Sequence, residues 1–393
     1  MLSLGSEPSA IRELFSYGLA RKAEIGEDNV FDFSLGNPSV PAPKSVAKAL
    51  ERAASQSGQT IHGYTPASGA YGTRQAIVEN LNRRFSTHYT ADDIYLTCGA
   101  AASLSITLRA ITSGNPHKQE EVIVLNPFFP EYRVWIEQAS CKVVEVATNP
   151  KTFQIDIAAI QSALTAKTRA IIINSPNNPV GTVYSEESLI ELGKVLRVAS
   201  KDFGHPIYLI SDEPYREIVY DSAPSWIADA YEHTMVCYSW SNSLRLPGER
   251  IGYILVGNKV ADASDVRYAI AGAGRALGYV CAPALFQYVI EQCIDEPCDI
   301  DTYKHNGNLL YTELSRMGYT CIRPQGAFYL WVKALEGDAQ AFSQRAKAHE
   351  LLIVPSNSFG IPGWVRLGYC VSEETIKNSL PAIQDLFHEY ASK

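Results

Sequence analysis

Several apolar runs of this sequence end in residues that could bind a charged small molecule. The run Ile94–Thr97 leads through Gly99 into a strong helix former, AAASLSITLRA. The free N–H groups of Ala100 and Ala101 would then face outward at a helix N-terminus, and N–H groups in that position bind phosphate. A plain strand-to-helix turn is the alternative interpretation of this feature taken alone.

The next two strand ends carry an amide, a carboxylate and a phenol. The run RAIIIN leads into SPNNPVG, where two prolines frame Asn177 and Asn178 and would hold an amide in a fixed direction. The run PIYLISDEPY ends at Asp212 and Tyr215. A carboxylate there suits a cationic ring nitrogen, whereas an Asn-Pro turn and a helix N-cap are the alternative interpretations of the two segments.

A fourth strand end adds hydroxyl groups and a guanidinium group. The run MVCY is followed by Ser239 and Ser241, and Arg250 stands shortly afterwards beside Gly248. A guanidinium group there could bind phosphate through two hydrogen bonds, and a solvated surface charge is the alternative. Open α/β sheets bind their ligands at the carboxyl ends of strands. The four strand ends together predict a phosphate cradle beside an acid, a phenol and an amide.

The elements that must position these residues alternate between short β-rich runs and amphipathic helices from about residue 45 to 255. Near-continuous apolar strands separated by helices predict a mostly parallel seven-stranded sheet that is covered on both faces. The predicted strands are Ile94–Thr97, Val122–Leu125, Val143–Val146, Ala170–Asn174, Ile207–Ser211, Met235–Tyr238 and Tyr253–Val256.

The pattern changes towards both ends of the chain. The first 30 residues predict a helical arm, and the order of helices and strands beyond about residue 290 predicts a smaller α+β unit. We therefore predict an α/β protein of two units. Residues 1–45 form the arm and part of the small domain, 46–290 the large domain, and 291–393 the small C-terminal domain.

Composition excludes several classes of function. The 393 residues carry 34 basic and 42 acidic side chains, a net charge of −8, which argues against nucleic acid as a partner. No stretch approaches the roughly 20 apolar residues that a membrane span needs, and the first residues lack the pattern of a secretory signal. The eight cysteines form no CxxC pair and no zinc-ligand cluster. We expect reduced thiols, no metal and a cytoplasmic location.

The motifs in this order resemble those of the fold type I aminotransferases that depend on pyridoxal 5′-phosphate (class I/II, which includes aspartate and aromatic aminotransferases). The resemblance covers essentially the whole chain and implies the aspartate aminotransferase-like fold, with the cofactor in the large domain. The motifs are LGNP (Leu35–Pro38), YTPASG (Tyr64–Gly69), CGAAA (Cys98–Ala102), NPFFPEY (Asn126–Tyr132), NSPNNPVG (Asn174–Gly181), SDEPY (Ser211–Tyr215), SWSNSLRLPGERIGY (Ser239–Tyr253), GAFY (Gly326–Tyr329) and WVRLGY (Trp364–Tyr369).

The resemblance implies a role in cofactor binding for one group of residues. Phe129 would stack on the pyridine ring, although a core aromatic is the alternative. Tyr64 would reach the phosphate bound to a neighbouring subunit, which requires a homodimer with active sites at the interface; a surface loop aromatic is the alternative. The phosphate of the same chain would be bound by Gly99, Ala100, Ala101, Ser239, Ser241 and Arg250.

A second group would act on the ring and the substrate. Asp212 would pair with the protonated ring nitrogen and keep the ring an electron sink. Tyr215 and Asn178 would hydrogen-bond the phenolic oxygen of the ring. Arg366 would bind the substrate α-carboxylate, helped by Asn178 and the backbone of Gly36. A charge inside the apolar segment WVRLGY is costly without a partner, which favours a bound carboxylate.

One position departs from the family. Where relatives have the Schiff-base lysine, which also moves the proton between the substrate and the cofactor, this chain has Asn242. Asparagine has no basic amine, so the chain as written should bind the cofactor without a covalent link and turn over very slowly. Three explanations stay open: an engineered substitution that traps an intermediate, a natural silent relative, and a different chemistry with another base.

The predicted reaction of the lysine-bearing form is ping-pong transamination between an L-amino acid and a 2-oxo acid. Ala101 offers no charge where relatives that prefer dicarboxylates place a basic group, so we expect broad specificity with 2-oxoglutarate as acceptor. Three alternatives remain. They are a lyase on the same scaffold, a non-catalytic ligand-binding relative, and a nucleotide-dependent dehydrogenase, which the lack of a GxGxxG motif disfavours.

Overall fold

The computed structural model describes residues 1–6, 9–56, 58–222 and 225–391. Its strands are β1 (Phe31–Asp32), β2 (Ile94–Thr97), β3 (Glu121–Asn126), β4 (Lys142–Ala147), β5 (Thr168–Asn174), β6 (Tyr208–Asp212), β7 (Thr234–Ser239), β8 (Gly252–Val256), β9 (Cys321–Ile322), β10 (Tyr329–Lys333), β11 (Leu351–Leu352), β12 (Val354–Pro355) and β13 (Trp364–Gly368).

The helices lie between and around these strands. They are α1 (Leu2–Ser6), α2 (Ala10–Ile25), α3 (Lys44–Ala54), α4 (Gly58–His62), α5 (Tyr71–Phe85), α6 (Ala100–Ile111), α7 (Glu131–Gln138), α8 (Ile157–Ala163), α9 (Glu186–Phe203), α10 (Ile227–Ala230), α11 (Ala263–Leu277), α12 (Ala284–Cys293), α13 (Asp301–Met317), α14 (Ala339–Lys347) and α15 (Glu373–Ala391).

The large sheet has the order β2-β8-β7-β6-β5-β3-β4, seven strands within the described part of the chain. Every neighbouring pair is parallel except the two that involve β8, which runs antiparallel to both β2 and β7. The central strands are nearly continuous apolar runs, such as the segment AIIIN at the end of β5, because helices cover both faces. The predicted α/β sheet is confirmed, and its seven predicted strands correspond to β2–β8 with ends shifted by no more than two residues.

The smaller unit is built around an antiparallel sheet of order β12-β13-β10-β9. Beside it, β1 from the N-terminal segment pairs in parallel with β11 from the C-terminal part of the chain. Buried aromatic side chains such as Phe328 and Tyr369 fill the core between this sheet and helices α13 and α15. Of the described helices, none has the length and apolar character to cross a membrane.

Candidate active site

Nearly all the predicted site residues meet around one cavity of about 400 Å³ at the carboxyl ends of β5, β6 and β7. This edge of a mostly parallel sheet is where α/β proteins place their ligands. Gly99 lies next to the cavity, at the start of α6. The predicted residues that line the cavity are Gly36, Ala100, Ala101, Phe129, Asn178, Asp212, Tyr215, Ser239, Ser241, Asn242, Arg250 and Arg366.

One end of the cavity has the groups that an anion needs. Gly99 precedes helix α6 with φ +84°, a conformation that favours glycine, and its carbonyl accepts the N–H of Ser103 to begin the helix. A Cβ atom at Gly99 would lie 2.9 Å from Nη2 of Arg250. Ser239 Oγ and Ser241 Oγ are 3.1 Å apart on the same side of the site. Helix N–H groups, a guanidinium group and two hydroxyls therefore converge as in a phosphate site.

At the end of β6, Asp212 presents one free carboxylate oxygen. Its Oδ2 atom accepts a 2.5 Å hydrogen bond from the hydroxyl of Tyr132. Its Oδ1 atom is buried and has no hydrogen-bond partner within the described residues. Burial raises the pKa of Asp212 to about 7, and the bond from Tyr132 opposes that rise. A cationic N–H group placed against Oδ1 would satisfy the oxygen and stabilise the ionised form.

A phenol pair and an amide line the next part of the cavity. The hydroxyls of Tyr215 and Tyr329 are 2.9 Å apart, and Nδ2 of Asn178 lies 3.5 Å from the Tyr215 hydroxyl. Burial raises the pKa of Tyr215 well above its usual value, so its hydroxyl stays protonated at neutral pH and can donate. The Asn178 backbone N–H donates to Oδ1 of Asn174 at 2.7 Å, which holds the loop in place.

Arg366 is a buried cation with a free donor. Its Nη1 donates to Oδ1 of Asn178 at 3.0 Å and its Nη2 to the carbonyl oxygen of Ser34 at 2.6 Å. Its Nε atom is buried without a partner, and no carboxylate of the described residues forms an ion pair with it. The guanidinium carbon lies 4.5 Å from the ring centroid of Tyr329. Because a buried charge is strongly destabilising when unpaired, this geometry suits a carboxylate ligand.

Gly36 has a steric reason to be glycine. A Cβ atom at this position would lie 2.1 Å from the hydroxyl oxygen of Tyr329. The loop that carries Gly36 can therefore approach the phenol pair closely and expose its backbone to the cavity.

Asn242 lines the cavity where an amine is expected from the resemblance. Its Nδ2 atom donates to the carbonyl oxygen of Pro214 at 3.1 Å. The charged side chains that line the cavity are Asp212, Arg250 and Arg366, so no lysine of the described residues faces it. The described residues therefore offer no amine to a ligand in this cavity.

Tyr64 lies away from the cavity. Its side chain is 101 % exposed in the single chain, and its predicted contact with a neighbouring subunit's phosphate stays a prediction.

Tyr132 and Tyr329 belong to the site although no function was predicted for either. Tyr132 stands in the motif NPFFPEY, three residues after Phe129, and Tyr329 ends the motif GAFY. Their presence in these two motifs is the one sequence feature that points to a role in the site. Their contacts with Asp212 and Tyr215 join segments far apart in the chain, which spacing along the chain does not reveal.

Replacing Tyr132 by phenylalanine is expected to raise the pKa of Asp212 further above 7, because the carboxylate loses its hydrogen-bond donor. Carbon-13 NMR of labelled aspartate across a pH titration measures this change. Tyr95→Phe is the matched control, since that buried hydroxyl has no partner among the described residues. An unchanged Asp212 titration in the Tyr132→Phe variant would contradict the assigned contact.

This fold is that of an aminotransferase. The family described as aminotransferase class I and II matches residues 28–383, and the chain belongs to that family. An aminotransferase from Eubacterium rectale with a crystal structure is 51 % identical, covers 99 % of this chain and 98 % of its own, and has a TM-score of 0.96.

Two aspartate aminotransferases are more distant relatives. The Thermus thermophilus enzyme, crystallised with maleate, is 26 % identical over 97 % of both chains, with a TM-score of 0.85. The enzyme of Thermotoga maritima is 29 % identical over 92 % of each sequence. The predicted aspartate aminotransferase-like fold is thereby confirmed.

Proposed function

We propose that this cavity binds pyridoxal 5′-phosphate and that the site is built to transfer the amino group of an L-amino acid to a 2-oxo acid. We further propose that Asn242 occupies the position of the catalytic lysine and leaves the chain as written inactive or very slow. The free carboxylate oxygen of Asp212 is the observation that carries the proposal, because a buried Oδ1 atom with no partner among the described residues suits a protonated pyridine nitrogen.

The phosphate and ring contacts follow from the donors in the cavity. The start of α6 and Arg250 would hold the phosphate, Phe129 would cover one face of the ring, and Tyr215 with Asn178 would donate to its phenolic oxygen. When bound, pyridoxal 5′-phosphate supplies an aldehyde that reacts with amines and a ring that accepts the electrons of the Cα–H bond. Asp212 in its ionised form keeps the ring nitrogen protonated.

The substrate contacts follow from Arg366. Its free Nε and its two Nη groups would hold the α-carboxylate, with Asn178 beside it, and would so orient the Cα–H bond relative to the ring. Residue 242 would face that bond. An amide has no basic lone pair at neutral pH, so Asn242 cannot take the proton that transamination requires.

We also propose a homodimer, a cytoplasmic location and the domain division at residues 45 and 290. The exposed ring of Tyr64 supports the dimer, because a second chain would cover it and would receive its hydroxyl at the phosphate.

A non-catalytic ligand-binding protein is the second candidate function. Asn242 favours it, because its side chain is buried and hydrogen-bonded to Pro214, and none of the described residues brings an amine to the cavity. Such a protein would bind the cofactor or an amino-acid adduct of it without turnover.

Arg250→Met is expected to weaken binding of pyridoxal 5′-phosphate by about 10- to 100-fold, the loss of a charge-assisted contact. Titration calorimetry measures the change. Binding of dephosphorylated pyridoxal should change little in the same variant, and Arg323→Met on the exposed surface is the control. A chain that binds neither compound, or a variant that loses affinity equally for both, would contradict the proposal.

Arg366→Lys is expected to raise the KM for the amino acid by about 10- to 100-fold in the presence of a restored lysine at position 242. A lysine ammonium cannot keep both the Asn178 and Ser34 contacts and still bind a carboxylate through two parallel bonds. Steady-state kinetics of the double variant test this, with Arg323→Lys in the same background as control. An unchanged KM would remove Arg366 from the substrate site.

A further inference from the structure

The side-chain amide of Asn242 is fixed in one orientation. Its Nδ2 atom donates to the carbonyl oxygen of Pro214, in the loop between Asp212 and Tyr215. Turning the amide over would place Oδ1 against that carbonyl oxygen, and two acceptors repel. The contact therefore ties the amide to the loop that separates the acid from the phenol of the site.

The oxygen of this amide is left for a ligand. Asn242 lines the cavity and is 5 % exposed. Among the described residues its Oδ1 atom has no hydrogen-bond partner, and it is not sealed from solvent. Residue 242 thus presents a hydrogen-bond acceptor where the resemblance places an amine in relatives.

An acceptor at this place discriminates between two forms of the proposed cofactor. The aldehyde oxygen of pyridoxal 5′-phosphate is itself only an acceptor, whereas the primary amine of pyridoxamine 5′-phosphate is a donor. A lysine would add a covalent bond to the aldehyde form alone. With no lysine of the described residues facing the cavity, the aldehyde form loses that bond and the amine form loses nothing.

On the proposed function above, we propose that this chain is selective for the amine form of the cofactor, pyridoxamine 5′-phosphate, and holds it without a covalent bond. Asn242 Oδ1 accepts a hydrogen bond from the 4′-amino group. The phosphate and ring contacts are shared by both forms, so the selectivity arises at residue 242.

Titration calorimetry of the unsubstituted chain with three ligands tests the proposal. The ligands are pyridoxamine 5′-phosphate, pyridoxal 5′-phosphate and 4′-deoxypyridoxine 5′-phosphate, which lacks the 4′ heteroatom. We expect the amine form to bind about tenfold more tightly than the deoxy form, the effect of about one hydrogen bond. The aldehyde form should bind no more tightly than the deoxy form.

Two variants at the same position give matched controls. Asn242→Leu has a similar size without the amide, and should bind the amine and deoxy forms equally. Asn242→Lys should reverse the preference, with a mass increase after borohydride reduction in the presence of pyridoxal 5′-phosphate.

The outcomes separate this inference from the function on which it rests. Failure of all three phosphates to bind the unsubstituted chain would overturn the proposed function. Equal binding of the three, or tighter binding of the aldehyde form, would overturn the proposed selectivity but would still support the cofactor site. An amine preference that survives in Asn242→Leu would show that residue 242 is not its source.

Discussion

Asn242→Lys is expected to raise the rate of amino-group transfer by about 10²- to 10⁴-fold, the usual contribution of a positioned general acid–base group. The carboxylate of Asp212, the phenol of Tyr215 and the cation of Arg366 already surround the cavity, and residue 242 lines it. A lysine at position 242 would supply the amine that none of the described residues brings to the cavity. Single-turnover formation of the 2-oxo acid from an L-amino acid measures the rate.

Asn242→Met is the control for this experiment, because methionine has a similar length and no amine. It should stay as slow as the unsubstituted chain. A lysine variant that binds the cofactor and still fails to transaminate would favour the non-catalytic candidate. Release of ammonia together with pyruvate would instead indicate a lyase.

Asp212→Asn is expected to stabilise the cofactor-free chain at alkaline pH while it removes function. The pKa of Asp212 is raised from 3.8 to about 7 in the folded chain, so the folded state binds the proton more tightly than the unfolded state. Stability therefore falls as the pH rises from about 4 to about 7 and stays lower above that range. An uncharged asparagine avoids this loss of folding stability. The loss amounts to up to about 4 kcal/mol in the free energy of unfolding at pH 8.

Urea unfolding at pH 4 and pH 8 tests this prediction. The Asp212→Asn variant should be about as stable as the unsubstituted chain at pH 4 and more stable than it at pH 8. Asp92→Asn, at a side chain that is 89 % exposed, is the control and should show no such difference between the two pH values. The same Asp212→Asn change should abolish most transfer activity in a lysine-bearing chain, because the ring nitrogen loses its anion. Destabilisation at both pH values would contradict the burial argument.

The central strands of the large sheet could be predicted because they are nearly continuous apolar runs. The segment AIIIN at the end of β5 is such a run, and a strand that is covered on both faces has this pattern. The position of β8 between β2 and β7 could not be predicted in the same way. Strand order and direction depend on packing between segments far apart in the chain, and periodicity along one segment carries no information about them.

The residues of the site also divide into those that the sequence reveals and those that only the folded structure reveals. Asp212, Asn178 and Arg250 were found because they follow predicted strands or lie in motifs at strand ends. The bond between Tyr132 and Asp212 joins residues that are 80 positions apart, and the bond from Arg366 to Ser34 spans 332. Such contacts exist only once segments far apart in the chain have packed together, so residue types and spacing alone cannot reveal them.

The parallel pairing of β1 with β11 sets an order for folding during synthesis. The N–H of Phe31 donates to the carbonyl oxygen of Glu350, and Phe33 donates to that of Leu352. Ribosomes add roughly 5–20 residues per second, so the first strand waits roughly 15 to 60 seconds for its partner. The carbonyl of Ser34, one residue further on, has to wait for Arg366 as well. The substrate end of the cavity is therefore among the last parts of the chain to form.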